Sequence, residues 1–117
     1  MQLPKSIKLG HFEIFIKELD PEIAAASSEE GSFLPTSRTI WIDKSIIEKV
    51  GADLVCVLIH ELMHVSYLKN NFNQTSSEED LVNGFSNDLT ELLSRDELLN
   101  IINKILRGKI GKHRPKK

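Results

Sequence analysis

The stretch "LVCVLIHELMHVSYL", Leu54 to Leu68, constrains this chain more than any other. It is apolar at Leu54, Val55, Val57, Leu58, Ile59 and Leu62, so nearly all round when wound as a helix. A helix of that kind is covered on most of its sides. It starts near Ala52 or Asp53, after Gly51, and runs to about Lys69. Within it stand His60, Glu61 and His64, three residues whose burial is costly unless each finds a partner.

The flanking segments supply the rest of a small domain. "SIKLGHFEIFIKEL" alternates Phe12, Ile14 and Ile16 with Glu13, Phe15 and Lys17, which predicts strand with a turn or bulge at Gly10-His11. "DPEIAAASSEEGSF" reads as a connection opening with a short helical turn after Pro21. "SRTIWIDKS" predicts a second strand, Ile40 and Ile42 on one face, Thr39 and Trp41 on the other. Ser45 to Glu48, "SIIE", fits a capping box and predicts a short helix. "NNFNQTSSEED" is a polar connection ending in acids, as a helix first turn prefers. A helix from about Ser77 to Leu93 follows, with Leu81, Val82, Phe85, Leu89, Leu92 and Leu93 as its apolar stripe. "SRDE" fits another capping box and predicts a last helix from about Asp96 to Leu106, stopped by Gly108. The expected fold is α+β, a mainly antiparallel sheet of about three strands on about three helices, with the Leu54–Leu68 helix central. Residues 1–106 form the domain and 107–117 a basic tail.

His60-Glu61-Leu62-Met63-His64 has the form HExxH. Residues four apart on a helix lie about 6 Å along the axis on one face, so both imidazoles can reach one Zn²⁺. The glutamate between them is placed to take a proton from a water activated by the metal rather than to ligate. A shared cation also accounts for three polar residues in so apolar a helix. A catalytic zinc wants a third protein ligand, and "SSEEDLVN" offers Glu78, Glu79 and Asp80. Glu79 is preferred, because Asn83 four residues on can hydrogen-bond a ligand histidine. Glu78 shares a face with Leu81, Val82 and Phe85 and is the alternative. Cys56 lies one turn before His60 but about 12 Å along the axis from His64; it cannot join both histidines on one ion and is expected in the core. Tyr67 and Trp41 are expected to pack rather than to contact substrate.

The 117-residue chain has one cysteine, which excludes an internal disulfide framework. "MQLPKSIKLG" lacks the apolar stretch of a secretory signal, and no apolar run approaches the roughly 20 residues of a membrane span. A cytoplasmic protein is expected. Charge is uneven: the first 97 residues hold all 17 acids against eight Lys/Arg, and the remaining 20 hold seven Lys/Arg and no acid. Without aromatic interleaving, that basic end reads as a solvated terminus rather than a nucleic-acid surface.

An HExxH helix followed by a helix bearing a glutamate and a polar residue four positions later resembles the gluzincin metallopeptidases. The strand "RTIWID" just before it and the compact "EEDLVNGFSNDL" are similar to their minimal members, the minigluzincin and IrrE/ImmA-type proteins, particularly small phage- or prophage-encoded ones. The resemblance spans roughly Phe33 to Leu93. It implies one zinc on His60, His64 and Glu79, Glu61 as general base, and Arg38–Ile42 as an edge strand that pairs with an extended peptide. The sequence departs from the larger members in the short spacing from His64 to Glu79 and in lacking a clear downstream tyrosine or histidine for an oxyanion. The implied activity is zinc-dependent peptide hydrolysis; the alternative is a catalytically inert zinc protein that acts through a protein partner.

Overall fold

The computed structural model describes residues 3–27, 30–49 and 51–113. These form, in order, β1 (Ser6–Leu9), β2 (Phe12–Leu19), α1 (Pro21–Ser27), β3 (Gly31–Leu34), β4 (Thr39–Asp43), α2 (Lys44–Lys49), α3 (Ala52–Lys69), α4 (Glu78–Ser94) and α5 (Asp96–His113). The class is α+β, with one four-stranded sheet of order β1-β2-β4-β3 packed on helices.

The expected strand turns back on itself at Gly10-His11, so one apolar alternation becomes the antiparallel hairpin β1-β2. The pairing of β2 with β4 is parallel. A parallel pair cannot be joined by a tight turn, and α1 with β3 supplies the crossover. β3 then pairs antiparallel with β4. This corrects one expectation: the 38–42 segment is no edge strand, because β4 lies between β2 and β3 and its backbone is paired on both sides. The edges are β1 and β3. "GSFL" is too short and too weakly alternating to announce itself as a strand.

One face of the sheet is a continuous aliphatic surface of Ile7, Leu9, Ile14, Ile16, Ile40 and Ile42, all buried. Leu54, Leu58, Leu62 and Val65 of α3 cover it, and Leu92, Leu98, Ile101 and Ile105 of α4 and α5 complete the core. The other sheet face carries charge, with Lys17 Nζ 5.6 Å above the Trp41 ring; Trp41 packs there, as expected.

The helix ends differ in part from those the local sequence predicts. Asp43, not Ser45, caps α2: its carboxylate accepts from the Ser45 backbone N–H and hydroxyl, each at 2.9 Å. Ser77 caps α4, accepting from the Asp80 N–H. Ser94 lies inside α4, its hydroxyl donating to the Glu91 carbonyl. Gly108 does not stop α5, which continues to His113; a helix-interior glycine costs only about 1 kcal/mol against alanine. Part of the expected tail is therefore helical, and residues 114–117 lie outside the described residues.

Candidate metal centre

Within α3 the buried positions are Leu54, Leu58, Glu61, Leu62, Val65 and Ser66. They form one broad stripe at helical spacing, and the opposite side is open. Cys56, His60, His64 and Tyr67 are exposed there. The helix is thus covered on fewer sides than its composition suggests, and Cys56 is an exposed thiol, not a core residue. One turn separates each of Cys56, His60 and His64 from the next, so a single rotation of the helix exposes all three.

His60 and His64 turn their Nε2 atoms toward each other, 3.2 Å apart, with ring planes at 73°. In a neutral pair one Nε2–H can donate to the other nitrogen; a shared cation would take that proton's place. Two nitrogens at that separation are close enough for both to reach one Zn²⁺, whose bonds to imidazole nitrogen are about 2.0–2.1 Å.

Glu61, one position on, is buried at 5% exposure. Its carboxylate lies against β3: a Cβ added at Gly31 would sit 3.4 Å from Glu61 Oε2 and 2.8 Å from Val57 Cγ1. The absent side chain lets the edge strand approach α3 at the level of the histidines. Gly31 and Phe33 pair with the inward residues Ile42 and Ile40, so both face α3. The backbone N–H of Asp43 donates to the Glu30 carbonyl and extends this pairing by one residue.

Between β3 and α3 lies a cavity of about 660 Å³. Gly31, Ser32, Phe33 and Pro35 form one wall; His60, Glu61, His64, Tyr67, Leu68, Asn71 and Phe72 form the other. Tyr67 borders the histidines instead of packing away from them. A second, more apolar recess touches His60, Met63, His64, Tyr67 and Phe85. Sequence reasoning missed Gly31, Phe33 and Phe72, because each reaches the site only through the sheet order or the turn after α3.

The third expected ligand is not brought to the pair. Glu78 and Glu79 are exposed in the first turn of α4 and line neither cavity, and Asn83 is exposed too. Among the described residues no group of three His, Cys, Asp or Glu converges as a ligand set. The side chain of α4 that meets the histidine face is Phe85.

Asp88 is what fastens α4 to α3. It is buried at 4% exposure, and its carboxylate accepts from Ser66 Oγ at 2.6 Å, Asn70 Nδ2 at 2.8 Å and Lys69 Nζ at 3.0 Å. Burial acts to raise its pKa, but the three hydrogen bonds and the Lys69 charge outweigh that and hold it below the ordinary 3.8.

No protein-family model matches the chain, and no solved structure does. A protein of Methanocaldococcus jannaschii, the uncharacterized protein MJ1213, is 32% identical over 99 residues, 84% of this chain and 76% of that protein. The chain belongs to the family of that archaeal protein.

Proposed function

We propose that the chain is a small zinc-dependent metallopeptidase. The observation that carries this reading is the facing Nε2 pair of His60 and His64, 3.2 Å apart, beside a buried Glu61 on the wall of a groove. His60 and His64 would hold the ion; Glu79, with Glu78 as the alternative, would complete the set only by moving from its exposed place in the first turn of α4. Zinc, when bound, lowers the pKa of water and polarises a carbonyl. Glu61 accepts the proton of the attacking water and delivers it to the leaving amine. β3, in place of the 38–42 segment, is the edge to which an extended peptide adds its backbone.

A cytoplasmic setting suits this reading. No helix among the described residues is long and apolar enough to cross a membrane. The test is cleavage of an unfolded protein substrate by zinc-loaded chain, read by mass spectrometry. Glu61→Gln is expected to lower turnover by a factor on the order of 10²–10⁴ while keeping its zinc. A chain that never cleaves, and whose cellular effect is unchanged by Glu61→Gln, would instead be the inert zinc protein acting through a partner.

A further inference from the structure

The groove is not uniform along its length, and its far end is aromatic. α3 ends in a tight reversal in which the Phe72 N–H donates to the Tyr67 carbonyl and the Asn71 N–H to the Leu68 carbonyl, each at 3.1 Å. Asn71 takes the left-handed conformation this turn needs, φ 54°. The preceding Asn70 is held by Asp88. Phe72 is thereby turned back over α3, its ring 6.0 Å from Tyr67 and at 62° to it. Gly84 of α4 leaves the space that ring occupies: a Cβ there would lie 2.5 Å from Phe72 Cζ. Three separate features therefore converge to set one aromatic ring at the cavity wall.

We infer that this end of the groove is a specificity pocket for an aromatic or large aliphatic side chain of the peptide, formed by Phe33, Tyr67 and Phe72. The inference rests on the peptidase reading and names its substrate preference. A strand added to β3 sends alternate side chains to the α3 side. The residue opposite Phe33 enters the aromatic end, while the residue opposite Gly31, two positions away, lies over Glu61. Tyr67 is 39% exposed, so apolar ring surface is available to an incoming side chain. The edge-to-face contacts already running from Phe85 through Phe72 to Tyr67 are extended by one more ring.

The experiment measures binding of short fluorescein-labelled peptides, of one β-prone host sequence with a central Phe, Leu or Ala, to zinc-loaded Glu61→Gln chain by anisotropy. The Phe peptide is expected to bind roughly tenfold more tightly than the Ala peptide. Phe72→Ala should collapse that ratio, and Gly84→Ala, which displaces the Phe72 ring, should reduce it. The ratio is taken within each variant, so partial unfolding does not change it. Equal affinities, no binding of any peptide, or a ratio unaltered in both variants would overturn the inference. The same peptides given to zinc-loaded wild-type chain separate the two levels: a Phe preference in binding without cleavage leaves the pocket standing and removes the peptidase reading.

Discussion

His60 and His64 face each other through their Nε2 atoms at 3.2 Å, on the one side of α3 that the fold leaves open. Both rings remain exposed, and both line the cavity between α3 and β3.

Purified under zinc sufficiency, the chain is expected to carry about one zinc ion, as a single centre built on His60 and His64 implies. His60→Ala and His64→Ala should each lose it, and elemental analysis of the three proteins decides the matter. A metal-free wild-type chain would remove the basis for the proposed function.

Glu79→Ala and Glu78→Ala separate the two candidates for the third ligand. Both side chains are exposed and both belong to the first turn of α4, so neither substitution should disturb the core. Loss of the bound zinc, measured by competition with a chromogenic chelator, is expected for Glu79→Ala alone. The same loss on Glu78→Ala with none on Glu79→Ala would transfer the role.

Asp88 ties stability to pH. Its carboxyl is held below its ordinary 3.8 in the folded chain, so the unfolded state binds the proton more readily. The contribution of the cluster is present above the unfolded value and is lost as pH falls through the lower folded value. Asp88→Ala should cost on the order of 3 kcal/mol at neutral pH, because buried Ser66 loses its acceptor and Lys69 its counter-charge. Urea titrations at neutral pH and near pH 3 should show the gap between wild type and variant narrowing in acid. A constant gap would mean that the hydrogen bonds survive protonation.

Gly31→Val tests the closeness of β3 to α3. Even a single added carbon meets Val57 Cγ1 at 2.8 Å, so the larger side chain must push the edge strand outward, at a cost of about 1–3 kcal/mol. Thermal denaturation should register that loss, and peptide binding should weaken beyond it. A variant as stable as wild type would show that β3 yields at no cost.

Much of this arrangement was legible in the chain itself. The apolar run around His60, Glu61 and His64 could only be a helix on a core, and four-residue spacing obliges the two imidazoles to share a face. Ile14, Ile16, Ile40 and Ile42 declared their inward direction through period-two alternation. These are local properties, set by the geometry of one helix or one strand.

Tertiary structure alone decided the rest. The sheet order made β3 the edge and buried β4 between partners, since pairing depends on which strands the crossover brings together, and no strand encodes its neighbour. It also left Cys56 and Tyr67 exposed, although the run containing them is apolar, because helix burial depends on which faces the sheet and α4 reach. Likewise Phe72 and Gly84, twelve residues apart, meet only because Asn71 reverses the chain and Asp88 draws α4 against α3. Short-range periodicity determines which way a side chain points; long-range packing determines what stands in front of it.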